Sequence, residues 1–304
     1  MQGWRRAPQW FRPPDLDPRG VTLEPVALGA GVWGLMADRS PVNNCGFIVG
    51  EREIMVVDAH LNAVMAGQVL SAVRQVSQLP ISYLVLTSDH GDHHFGAHAF
   101  PAGTRVVAHD GAGERADFKV ELGLLRQQLG AAASELDEVR FRPVDITFAR
   151  TLAFDLGNQR VELHHFGPGE SAGDCVVWVP QAGVAFTGDL IKAEGFPPCL
   201  LEQPAERFLE SVRRFRQTMA PRVVVPAHGT MGSSAAAELC EQYLRRLLET
   251  TQELVESGQH PSESTTAELR RFIPTLDEEL APLLEGVHRL NIERTYSRLL
   301  VARG

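Results

Sequence analysis

Four of the eleven histidines fall between His90 and His98, inside the run Thr87-Ser88-Asp89-His90-Gly91-Asp92-His93-His94-Phe95-Gly96. Neutral imidazoles and carboxylates are the standard ligands of divalent transition metals. A tight loop that alternates them can gather several donors around one point. The run follows Ile81–Thr87, a compact apolar stretch that reads as a strand. The carboxyl end of such a strand is where an α/β protein usually places its site.

The elements that would position these residues follow from periodicity. Short apolar runs at Val26–Leu28, Val32–Met36, Gly46–Val49 and Ile54–Asp58 read as strands, and Leu61–Gln78 has helical spacing that Pro80 ends. Thr104–Ala108 continues as a strand and Gly113–Leu129 as a mostly helical stretch. The second half repeats this grammar. Strands are expected at Ile146–Phe148, Leu152–Leu156, Val161–His164, Cys175–Val179 and Val184–Thr187, then a helix at Ala205–Met219 and a strand at Val223–Pro226. Two mixed sheets with helices outside, a layered α/β/β/α arrangement, accommodate this order. Beyond Gly229 the composition turns helical, with helices expected at Ser233–Gly258, Thr265–Phe272 and Leu276–Ala302.

Five ordered segments together resemble the metallo-β-lactamase superfamily. His90, Asp92 and His93 match three of the four positions of its H-x-H-x-D-H signature, with Ser88 standing where the first histidine belongs. Gly167–Asp174 resembles its G-P-x-H-T-x-G-D segment, with Glu170 in place of the histidine. Phe186–Asp189 is similar to the segment carrying the bridging aspartate, Val223–Gly229 to the strand with the terminal histidine, and Asp58 to an early strand-end aspartate. The resemblance implies a four-layer αββα sandwich over residues 21–232, preceded by an arm (1–20) and followed by a helical extension (233–304) packed on the same domain.

It also implies two metal positions. One takes His90, Glu170 and the bridging Asp189, with Ser88 a weak or vacant ligand. The other takes Asp92, His93, Asp189 and His228 and is intact. Asp92 and Asp189 are then the candidates for orienting a nucleophile. One or two divalent transition metals are expected. The loss of two imidazoles makes the set harder and more anionic, so zinc, iron and manganese all qualify. The implied activity is hydrolysis of a small-molecule ester, lactone, thioester or amide. A di-iron oxygenase is the alternative, since an oxygen-activating branch of the superfamily also carries glutamate at the Glu170 point. A degenerate metal-binding scaffold is the third.

Composition narrows the partners. Twenty-nine basic residues against 38 acidic ones give a net charge of -9, the wrong balance for a general nucleic-acid or anionic-membrane binder. Only Lys119 and Lys192 are lysines, and the sequence alone assigns neither a role. No apolar run reaches the ~20 residues of a membrane span, and the first twenty residues lack the apolar core of a signal peptide. Cys45, Cys175, Cys199 and Cys240 form no C-x-x-C pair. A cytoplasmic protein with a small-molecule substrate is expected, and the long last helices allow a homodimer. Pocket walls are expected from Gly111–Pro143, Lys192–Leu201 and the carboxyl-terminal helices, with Phe95, Phe196 and Pro197-Pro198 offering apolar surface. His164 or His165 could replace a missing donor.

Overall fold

A computed structural model describes residues 7–112, 118–193, 195–274 and 278–303. Two mixed sheets pack face to face, with helices on both outer faces. The first sheet runs β1 (Leu23–Gly29), β2 (Val32–Ala37), β3 (Cys45–Val49), β4 (Ile54–Val57), β5 (Ile81–Val85), β6 (Arg105–His109) and β7 (Ile146–Phe148) in spatial order. Hairpin-linked neighbours pair antiparallel as far as β4, and β4 to β7 pair in parallel. The second sheet has the order β12 (Val223–Pro226), β11 (Val184–Gly188), β10 (Val176–Val179), β9 (Arg160–His164) and β8 (Thr151–Asp155), with only β11 and β12 parallel.

Strand alternation decides which core each residue joins. In β4, Met55 and Val57 enter the layer between the sheets, where they meet Val177, Val184 and Phe186. Ile54 and Val56 face outward and pack with Met65, Val69 and Val73 of α1 (Ala63–Val76). β4 therefore reads as an unbroken apolar run, because both of its faces are buried. Gly46 permits the close contact of the sheets, since a Cβ there would lie 2.2 Å from the Phe186 ring. On the far side, α4 (Ala205–Thr218) and α5 (Ala235–Ser257) bury Phe208, Val212, Phe215, Tyr243 and Leu247 against Val176, Ala185 and Val224.

The expected elements recur, with ends shifted by a few residues. Helix α1 begins one residue past Asn62, whose side chain caps it by accepting from the Met65 N–H at 2.9 Å. The helix expected from Gly113 is seen as α3 (Phe118–Leu129), and 113–117 lie outside the described residues. The chain end forms α6 (Glu263–Arg270) and α7 (Ala281–Arg303). The structure adds a single helical turn, α2 (Gly91–His94), inside the His-rich loop. It is too short to leave a periodic signature. No helix among the described residues is long and apolar enough to cross a membrane.

The arm of residues 1–20 is irregular where described, but it is anchored. Phe11 packs with Val287 and Leu290 of α7, and Leu16 with Leu61, Phe95 and Leu125. Helix α7 also holds a loop flanking the candidate site. Asn291 Nδ2 donates to Pro198 O at 2.7 Å, and its Oδ1 accepts from Leu200 N–H at 3.0 Å. Next to it the wholly buried His288 lies 3.1 Å from the Tyr243 hydroxyl. Burial, reinforced by Arg270, pushes its pKa down to about 4. The unfolded chain binds this proton near pH 6.5 and the folded chain only near 4. Stability from His288 is therefore complete above pH 6.5 and is lost as pH falls towards 4, by about 3 kcal/mol. Thermal melts between pH 7 and 4 should show a shallower pH slope for His288→Gln than for the parent chain. Equal slopes would rule His288 out.

Candidate metal centre

The His-rich loop leaves β5 at one end of the sandwich. Its first residue, Thr87, is fixed by Asp58 at the end of β4: the Asp58 carboxylate accepts from the Thr87 N–H at 2.8 Å and from its hydroxyl at 2.6 Å. The Asp58 carboxylate also accepts from His93 Nδ1 at 3.1 Å. That bond selects the tautomer that leaves the His93 Nε2 lone pair free, the arrangement a ligating imidazole uses. His228 is prepared the same way, with Nδ1 donating to Pro41 O at 2.6 Å. The 41–44 segment holds the whole His228 loop. Asn44 N–H donates to Ala227 O at 2.6 Å, and Asn44 Nδ2 to Pro226 O and Gly229 O at 3.1 and 2.7 Å.

Asp189 is turned into the site by Gly188. Its φ of +52° suits glycine, and a Cβ there would lie 2.6 Å from Thr87 Oγ1. The Asp189 carboxylate is 1% exposed. Its Oδ2 lies 3.2 Å from His93 Nε2 and 3.3 Å from His90 Nδ1, and its Oδ1 lies 3.4 Å from His228 Nε2. His228 Nε2 is 3.6 Å from Asp92 Oδ2.

Among the described residues, two groups of donors converge: Asp92, His93 and His228, and His90, Glu170 and Asp189. The first group, with Asp189, fits a metal ion on two observations. With His93 Nδ1 committed to Asp58, Nε2 and the facing Asp189 oxygen are both acceptors, buried and without a hydrogen-bond partner. A positive charge must lie between them. The separations of 3.2 to 3.6 Å also match the spacing of roughly 3.4 Å between tetrahedral ligands about 2.1 Å from one ion. A proton is the competing cation. Burial disfavours the charged His93, but Asp189 and Asp58 outweigh it and raise its pKa well above the usual value. Asp189 also resists protonation despite burial, because His93 and Lys192 hold its carboxyl well below the ordinary range.

The second group brings together the three expected donors, His90, Glu170 and Asp189, and Lys192 lies beside them. Glu170 Oε1 lies 2.6 Å from Lys192 Nζ and also accepts from the Cys199 N–H at 2.6 Å. Lys192 Nζ is 3.7 Å from Asp189 Oδ1. Burial opposes its charge, but Glu170 and Asp189 raise its pKa and keep it an ammonium. Burial pushes Glu170 up to about 7 against the pull of Lys192. Ser88 has turned towards Ser171, with Oγ atoms 3.4 Å apart. Ser171 and the Glu170 backbone in turn rest on Asp174, whose Oδ2 accepts from Glu170 N–H at 2.7 Å. His90 spans Asp189 and Glu202, the latter 3.4 Å from its Nε2.

Neither His164 nor His165 supplies a replacement donor. His164 pairs with Glu162 at 3.0 Å, and His165 stacks on His109 while meeting Asp174 O at 2.8 Å. An apolar cavity opens above the centre, walled by Phe11, Leu125, Phe196, Leu283, Leu284 and Val287, and Pro197 lines it too. Phe95 does not reach it; the ring is buried with Leu61 and Leu125. Glu202, Asn44 and Asn291, which contact or support the site, carry no local sequence signal, and Lys192 carries a weak one. Spacing offered one signal: Lys192 lies three residues past Asp189.

A family model described as the metallo-beta-lactamase superfamily matches residues 41–228. The fold recurs in many solved structures, among them two metallo-beta-lactamases. A metallo-beta-lactamase from Pontibacter korlensis is 20% identical, with a TM-score of 0.57 over 74% of this chain and 99% of its own. The metallo-beta-lactamase FIM-1 from Pseudomonas aeruginosa, in its mono-zinc form, is 19% identical, with a TM-score of 0.56 over 76% and 98%. A search of curated proteins found no match.

Proposed function

The chain belongs to the metallo-beta-lactamase superfamily, and from that premise we propose that it is a metal-dependent hydrolase of a small-molecule ester, lactone, thioester or amide. The observation that carries this reading is the intact group of Asp92, His93, Asp189 and His228, with its outward nitrogens tied to Asp58 and Pro41. Two imidazoles and two carboxylates suit zinc, iron or manganese. A bound metal would polarise the scissile carbonyl and lower the pKa of water to ~7. The chain does the rest. Asp92 and Asp189 would present carboxylate oxygens that orient an attacking water. Asp58 keeps His93 in one tautomer. The apolar cavity takes the uncharged part of the substrate and excludes bulk water from the centre.

A di-iron oxygenase is the second reading, and it needs Glu170 as a ligand, a carboxylate whose Oε1 already meets Lys192 and the Cys199 N–H.

The test is removal and return of metal. Chelation should reduce hydrolysis of an ester and lactone panel by at least about 100-fold, a loss expected when the activated water disappears. Zn²⁺, Mn²⁺ or Fe²⁺ should restore it. Hydrolysis indifferent to chelation would end this reading.

A further inference from the structure

Lys192 and Glu170 form an ion pair in which both side chains are 8% exposed, and Glu170 is one of the three donors that converge with His90 and Asp189. The pair is built from the chain outward. Asp189 and Lys192 leave the same turn after β11, so the residue that presents a carboxylate to the centre also brings an ammonium beside it. Glu170 is held from the other side by the Cys199 N–H, and this fixes its Oε1 on Nζ. Ser88 faces Ser171, and His90 lies between the Asp189 and Glu202 carboxylates.

Charge gives the arrangement its sense. An imidazole at position 170 would be neutral and would need no cation. The carboxylate found there adds a buried negative charge beside Asp189. A buried charge must be paired, and Lys192 pairs it without any ion from solution. A dication among His90, Glu170 and Asp189 would meet an ammonium already bonded to one of its own ligands.

We propose that the Lys192 ammonium stands permanently in the first metal position, so that the centre holds a single metal ion on Asp92, His93, Asp189 and His228. This rests on the reading of that group as a metal site, and the experiment separates the two. Metal-stripped protein is titrated with Zn²⁺, and bound metal per chain is counted by elemental analysis after dialysis. Co²⁺ absorption provides a second readout independent of activity. The parent chain should saturate at one ion. Lys192→Met, which keeps the aliphatic stem, should saturate at two, and Lys192→Arg should stay at one. Because Lys192→Met leaves Glu170 buried without its cation, Lys192→Met/Glu170→His supplies a neutral ligand instead and should also take two. Two ions in the parent chain, or one in both Met-bearing variants with native circular dichroism, would overturn the proposal. A parent chain that binds no metal would overturn the underlying site instead.

Discussion

Asp189→Ala should strip the protein of metal and abolish hydrolysis together. Asp189 faces four basic side chains of the centre: His93 and His90 through Oδ2, His228 and Lys192 through Oδ1. Partners one shell outside a metal already cost about 10–100-fold in affinity when removed, so loss of a ligand between two imidazoles should exceed about 100-fold. The same deletion withdraws the carboxylate that faces these four basic groups in a buried space. Asp189→Asn separates shape from charge. It should fold like the parent and still lose the metal, because a neutral amide places N–H groups where a ligand oxygen is needed. Metal content by elemental analysis, with melting temperature on the same samples, checks both. Full metal retention in Asp189→Asn would remove Asp189 from the ligand set.

The second large effect is expected at Asp58, which touches no metal position. Its carboxylate accepts from the Thr87 N–H, the Thr87 hydroxyl and His93 Nδ1, all buried. Asp58→Ala removes the acceptor of all three, and His93 Nδ1 is left only with the Thr87 hydroxyl at 3.2 Å. At about 1–3 kcal/mol for each stranded group, the fold should lose several kcal/mol. Asp58→Asn is more informative. Its carbonyl can still serve Thr87, but its N–H₂ has no acceptor at His93 unless the imidazole changes tautomer and withdraws its lone pair from the centre. Metal affinity should fall about 10–100-fold with only a modest change in melting temperature. Unchanged affinity in Asp58→Asn would mean that the His93 ring is held by packing alone.

These two residues mark what the sequence makes legible. The strand-end donors His90, Asp92, His93, Asp189 and His228 stand out because each follows an apolar run, so local pattern places them at one end of a sheet. The layered fold is legible for the same reason, through period-2 and helical spacing. The partner of a donor is another matter. Glu170 and Ser88 look like ligands in the linear motif, yet Glu170 is engaged by Lys192 and Cys199, and Ser88 by Ser171. Those contacts join separate loops whose approach depends on the docking of two sheets. No window of sequence contains it. The single turn of α2 is hidden for a different reason, because four residues cannot display a helical period.

The His228 loop is carried by Asn44, 185 residues away from Gly229 in the chain. Closing so long a loop is entropically costly and is repaid only when both ends are already packed. His90, Asp92 and His93 lie within a few residues of each other and can associate as soon as β4 and β5 pair. Asp189 and His228 arrive only with the second sheet. The expected order of assembly therefore runs from a half-formed cluster to a complete one. During synthesis, the emerging first half can offer a passing ion no more than a loose grip, and tight capture waits for the last strand. Refolding from denaturant should show the same order, with metal uptake lagging behind the early gain of secondary structure and coinciding with the slowest tertiary phase.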